Sequence, residues 1–277
     1  MLRFLGLFLL SSSLLLHSCD EVTYPKVNST VDPTNPVVQG NKKVLIEKFT
    51  GLGCGGCVTA TKRGEELKAI YGDQMILVEV HTGPFATHNN PYWQYDFTTP
   101  AGDEYKDILS EVPGYPNSFV NRRSVGPNNL FISYSTWAQR VEEIIQEKSP
   151  FSIGLDVLKE NNERKLTIKV NTTVTEALAG EHNLVVYITE NGIIAPQTQP
   201  DNSTENEYVH NHVLRKAIES PWGELLFAES ASPGETFENS YEITVPDKWN
   251  IDNLDIVAYV RSVDTQEILQ VESIGVE

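Results

Sequence analysis

Cys54 and Cys57 stand three residues apart in the run Gly53-Cys54-Gly55-Gly56-Cys57, and with Cys19 they are all three cysteines of a 277-residue chain. Outside the cytoplasm, two thiols at this spacing either close a disulfide with each other or exchange one with a client. Three cysteines cannot build a four-cysteine zinc site. The segment after Cys57 carries Ala60, Gly64, Leu67 and Tyr71 at helical spacing and predicts a helix that stops at Gly72. A cysteine at the start of such a helix meets unpaired backbone N–H groups and the positive end of the helix dipole, and both favour thiolate. Thiol–disulfide exchange is one reading of the pair, and a purely structural disulfide is the other.

The elements that must position the pair follow from hydrophobic patterning. Val44 to Phe49 predicts a strand feeding the short Thr50–Gly53 turn, and Met75 to Val80 predicts a second. A long polar and aromatic loop follows, then a short helix at about 102–110. Val112-Pro113-Gly114-Tyr115-Pro116 breaks the chain, Ser118 to Asn121 resumes as strand, and a last helix spans about 135–148. Its stripe is Trp137, Val141, Ile144 and Ile145, with Thr136 and Gln139 at capping-box spacing. His81 ends the second strand, where it could pass a proton during exchange, although a plain hydrogen-bonded histidine is the commoner outcome. The aromatic stretch Tyr92 to Phe97 could cover the cysteines and bind an extended ligand, or pack as a satellite core.

From Phe151 the period changes to two. Runs at Phe151–Val157, Leu166–Val170, Leu184–Ile188, Tyr208–Leu214, Phe237–Val245, Leu254–Val260 and Ile268–Ile274 give about seven strands, the pattern of an all-β sandwich of immunoglobulin-like type. His210 and His212 share one face of a predicted strand, but no third ligand is evident, so no metal is expected. No organic cofactor is implied either. Nucleophile-elbow, phosphate-loop and zinc-protease motifs are absent from the sequence.

The N-terminus carries a different kind of chemistry. Met1-Leu2-Arg3 and the apolar Phe4–Leu16 form an export signal too short to span a bilayer as a helix. It ends in Leu16-His17-Ser18-Cys19, which resembles the bacterial lipobox and implies lipidation of Cys19 after removal of residues 1–18. Residues 20–42, rich in Pro, Asn, Thr and Val, read as a flexible tether of about 25–30 Å by random-coil scaling. The expected organisation is therefore a signal peptide (1–18), a lipidated cysteine and tether (19–42), an α/β domain (43–149) and a β-sandwich (150–277). A net charge of -17 argues against nucleic acid as a partner.

A strand ending at Phe49, Cys-x-x-Cys at a helix start, and a later Gly114-Tyr115-Pro116 before a strand resemble the thioredoxin fold. That resemblance implies that Cys54 is the attacking thiol and Cys57 the resolving one. It makes Pro116 a cis-proline facing the pair and has Tyr115 lend its backbone to a client. Gly53 stands where thioredoxins usually carry tryptophan, and the dipeptide is Gly55-Gly56. Lys48, with Glu47 beside it, stands where they place a buried acid; alternation does not decide which of the two points toward the cysteines. Across nearly its full length, VLIEKFTGLGCGGC, GYPNSFVNR, YVHNHVLR and IVAYVRSVDTQEILQ make the chain similar to the twenty-eight-kilodalton outer-membrane lipoprotein family of Bacteroidetes-type bacteria. The resemblance implies an outer-membrane protein held by a lipid anchor, periplasmic or surface-facing, with thiol or disulfide clients or other surface partners.

Overall fold

A computed structural model of the chain describes residues 40–86, 95–108, 113–126, 129–160 and 164–277. Cys19, the signal segment, most of the tether and Tyr92 to Gln94 of the aromatic stretch lie outside the described residues. The first part of the chain runs β1 (Val44–Thr50), α1 (Gly55–Tyr71), β2 (Met75–His81), α2 (Pro100–Ile108), β3 (Asn117–Val120) and α3 (Trp137–Ile145). This is the element order expected from the sequence. The capping box at Thr136 is not formed: Thr136 makes no side-chain cap, and Ser133 instead accepts from the Ser135 N–H one turn earlier.

The remainder is strand. It runs β4 (Phe151–Lys159), β5 (Lys165–Val174), β6 (Leu178–Ala179), β7 (His182–Glu190), β8 (Ile193–Thr198) and β9 (Thr204–His210). Then follow β10 (Val213–Ile218), β11 (Glu224–Phe227), β12 (Ser230–Ala231), β13 (Thr236–Thr244), β14 (Leu254–Ser262) and β15 (Ile268–Gly275). The expected Tyr208–Leu214 strand is two strands, because His212 adopts a left-handed φ of 56° between β9 and β10. The two imidazoles of that segment therefore do not share a strand face.

One large sheet runs in the order β15-β14-β7-β10-β2-β1-β3, with β11 also paired to β7. β1 and β2 are parallel, and β10 joins β2 in parallel through Val213 opposite Glu79. The sheet thus crosses the expected division at residues 149 and 150 without a break. A second sheet, β13-β5-β4, packs its apolar face on the β7 and β14 side of the first, with Leu166, Ile168, Leu184, Val186, Ile256 and Ala258 in the shared core. These are sandwich-like layers, as the period-two patterning predicts.

Every residue of β1 and β2 is buried, since helices or neighbouring strands cover both faces. Val44, Ile46, Met75 and Leu77 meet Ala60 and Leu67 of α1 and Trp137, Val141 and Ile144 of α3. Leu45, Phe49, Ile76 and Val78 turn the other way, toward Ala101 and Tyr105 of α2. Burial of these side chains, each contributing roughly 1.5–3 kcal/mol, fixes the junction at which β1 hands over to α1.

Candidate functional site

Cys54 caps the N-terminus of α1 in an extended conformation, and Cys57 lies one turn inside the helix. The two are joined in a disulfide with a Cα–Cα distance of 5.3 Å. The turn before them is pinned by Cys54 N–H donating to the Gly51 carbonyl (3.0 Å) and Gly53 N–H donating to the Phe85 carbonyl (3.0 Å). Cys54 and Cys57 are 3% and 1% exposed, so neither sulfur is open to a large partner in this conformation.

The peptide bond between Tyr115 and Pro116 is cis. Pro116 faces the cysteine turn: a methyl group on Gly56 would lie 3.4 Å from its Cδ. Tyr115 is half-buried, with its hydroxyl pushed up to about 12 by burial, and packs edge-on to the exposed ring of Phe85 (5.7 Å). Its hydroxyl fills the space where a side chain on Gly83 would stand, 2.1 Å from an ideal Cβ, and Gly83 also holds a left-handed φ of 72°.

Beneath Cys57 sits a charged pair that the sequence only half revealed. Lys48 shares the inner β1 face with Val44 and Ile46, and its Nζ lies 2.6 Å from Glu79 Oε1 on the adjacent position of β2. The same ammonium donates to Thr61 Oγ1 and approaches the Cys57 carbonyl at 3.4 Å. Thr61 Oγ1 lies 3.1 Å from that carbonyl and 3.0 Å from Glu79 Oε1. Burial depresses the Lys48 ammonium below its ordinary range, while Glu79 pulls the other way. Glu47 points to the opposite face, where Arg122 binds it. A cavity of about 10 Å³, the room of roughly one water molecule, is lined by Cys57, Thr61, Glu79, Gln197, Tyr208 and His210 among others.

His81 is buried on β2 but does not line that cavity; it packs edge-on to Phe97 (5.1 Å) and His210 (6.0 Å). The histidine beside Cys57 is His210. His212 instead faces Glu65, 3.3 Å from its Oε1. Phe97 belongs to a small cluster with Leu52, Ala195 and Val213. Among the described residues, no group of three or more His, Cys, Asp or Glu side chains is placed to hold a metal.

The histidine pair carries a pH dependence. Burial, with Lys48 adding repulsion, pushes His210 down to about 4, and burial pushes His81 well below its ordinary value of 6.5. Between pH 6.5 and about 4 the unfolded chain binds these protons and the folded chain does not, so stability must fall as pH falls. The His210 share is about 3 kcal/mol over that span. Urea midpoints for wild type and His210→Gln should therefore converge toward the acid end, the variant losing less; parallel pH curves would contradict the assignment.

The fold and the site define a β-rich protein with sandwich-like layers and one disulfide at a strand-to-helix junction. The family described as outer membrane protein Omp28 matches residues 104–277. The chain belongs to this outer-membrane family, as its motifs led one to expect, and is an outer-membrane protein. HBP35 of Porphyromonas gingivalis is similar at 19% identity with a TM-score of 0.65, covering 86% of this chain and 76% of that one. A structural-genomics target from Agrobacterium tumefaciens is similar at 12% identity and a TM-score of 0.53, covering 87% and 97%. A domain of the outer membrane lipoprotein Omp28 from Porphyromonas gingivalis aligns at 20% identity over 47% of this chain and 89% of its own, with a TM-score of 0.31. No curated protein matches the chain. No helix among the described residues is long and apolar enough to cross a membrane.

Proposed function

We propose that this protein is a lipid-anchored thiol–disulfide exchange protein of the outer membrane, tethered through Cys19 and acting through a thioredoxin-like N-terminal half with an immunoglobulin-like β layer behind it. The observation that carries the reading is the Lys48–Glu79 pair buried against Cys57. Two charges taken out of water cost several kcal/mol, and a disulfide that merely staples a helix has no use for them there. A resolving cysteine does: its thiolate gains a neighbouring ammonium, and an ammonium depressed by burial gives up its proton more readily.

Exchange would run as follows. A client thiolate attacks Sγ of Cys54, the Cys54–Cys57 bond breaks, and Cys57 leaves as a thiolate that takes up a proton. A second client thiolate attacks the client sulfur of the mixed disulfide and releases Cys54. The client gains a disulfide, the protein is reduced by two electrons, and the reverse sequence reduces a client disulfide. The cis Pro116, beside Gly56, and the Tyr115–Phe85 edge, beside Gly53, flank the cysteine turn and suit an extended polypeptide.

The burial of both sulfurs favours a second reading, a structural disulfide in a surface binding or scaffolding protein. The reduction potential decides between them. Equilibration of the full chain in dithiothreitol or glutathione buffers should give a value of roughly -120 to -270 mV, the range of exchange catalysts. A value below about -300 mV would mark a structural bond and overturn the exchange reading.

A further inference from the structure

We propose that the β8–β9 hairpin is a lid over the cysteine pair and that its opening controls access to Sγ of Cys54. The inference rests on the exchange reading of that disulfide. β8 and β9 pair with each other and stand apart from the large sheet as an excursion between β7 and β10. Their tip reaches the N-terminus of α1. Thr198 N–H donates to the Leu52 carbonyl (2.9 Å), and the Gln197 side-chain amide donates to the carbonyls of Cys54 (3.1 Å) and Gly51 (3.4 Å). The Gln199 carbonyl lies 2.5 Å from where a Cβ on Gly55 would stand, and Pro200 Cα lies 3.5 Å from it. The first glycine between the cysteines thereby acquires a physical reason: Gly55 admits the hairpin.

The hairpin is built to come away. Its underside is small. Ala195, with half-buried Ile193 beside it, joins the cluster with Leu52, Phe97 and Val213, and β9 adds the buried ring of His210, set on Phe97 and His81, and the half-buried ring of Tyr208. Its cross-strand pair Ile194 and Val209 points outward, 57% and 50% exposed. A two-stranded hairpin is marginal by itself, and a segment with few buried apolar contacts opens at far lower free energy than the core. Its base is firm by contrast. Gly192 and His212, both with left-handed φ, bracket it; Gly192 N–H donates to Asn211 Oδ1 (2.9 Å) and His212 N–H to Asn191 Oδ1 (2.8 Å). The His212 carbonyl accepts from Glu79 N–H (2.8 Å), fixing the hinge on β2 beside the buried charge pair.

Two variants approach the contact from opposite sides. Gly55→Ala drives a methyl group into the Gln199 carbonyl, and replacing residues 199–203 by Asn-Gly removes the tip without touching the cysteine loop. The oxidised full chain is mixed with dithiothreitol, quenched with a maleimide, and scored for free thiols over time. Each variant should be reduced at least tenfold faster than wild type, with a circular dichroism spectrum unchanged. Folded variants reduced at the wild-type rate would overturn the lid. Should either variant fail to fold, native-state hydrogen exchange on the wild type still decides. Thr198 N–H should exchange through an opening much more frequent than that of the β1 amides, and equal protection of the two would overturn the proposal. The potential measured in the same buffers keeps the claims separate. Faster reduction with a structural-range potential sinks the exchange reading and leaves the lid; unchanged rates with an exchange-range potential sink the lid alone.

Discussion

Replacing Glu47 by alanine should destabilise the protein by about 3–5 kcal/mol, because it leaves a fully buried guanidinium without its counter-charge. Arg122 is 0% exposed, and its Nε and Nη2 donate to the two carboxylate oxygens of Glu47 at 2.7 and 2.6 Å. The same Nη2 donates to the hydroxyls of Tyr187 (3.1 Å) and Tyr259 (2.8 Å), and the guanidinium lies over the ring of Tyr105 at 4.8 Å. Burial by itself disfavours the charged form, but Glu47 and the tyrosines outweigh it and hold Arg122 firmly charged. The network also joins β1, the turn after β3, α2, β7 and β14, so its loss is felt on both sides of residue 150. A chain of this size has a total stability of roughly 5–15 kcal/mol, so the variant should melt about 10 °C or more below wild type. The paired change Glu47→Leu with Arg122→Met removes both charges and should recover most of the loss, since apolar replacement of a buried pair is often near neutral. Thermal and urea unfolding of the three proteins check this; an alanine variant within 1 kcal/mol of wild type would show that the pair contributes little.

Glu47 and Lys48 also show where the sequence is silent. β1 is buried on both faces, so apolar residues fill it continuously and no polar alternation reveals which charged neighbour faces the cysteines. The answer depends on Arg122, brought to Glu47 by the turn after β3, and on Glu79, brought to Lys48 by parallel register with β2. Glu79 could have been flagged by its own anomaly, a lone acid in the otherwise apolar run Met75 to Val80, because unpaired carboxylates are rarely buried. The hairpin was harder to read. Pro196 argues against a strand at Ile193–Thr198, yet the pairing with β9 slips between Ala195 and Gln197, and that irregularity accommodates the residue that cannot donate. The cysteine pair, the helix behind it and the strands around it were legible because short-range spacing fixes them. The lid was not, since it depends on contacts nearly 150 residues apart.

Serine at the two cysteine positions should give opposite outcomes. Cys54 sits at the helix cap, whereas Cys57 is one turn deeper, with its carbonyl approached by Lys48 and bound by Thr61. If Cys54 is the nucleophile, Cys54→Ser should form no mixed disulfides with client thiols and should lose insulin reduction down to the rate of the buffer thiol. Cys57→Ser keeps the nucleophile and loses the resolving thiol, so adducts that wild type clears should accumulate, visible as bands that collapse on reduction. Stability does not confound the comparison. The bond closes a loop of only four residues, and removing it costs on the order of 2 kcal/mol in the loop-entropy account, the same for both variants. A difference between them must then come from which sulfur is attacked. Cys54→Ser matching wild type in insulin reduction, with no adducts on Cys57→Ser, would identify the bond as a staple under the hairpin and move the protein's function to its β layers.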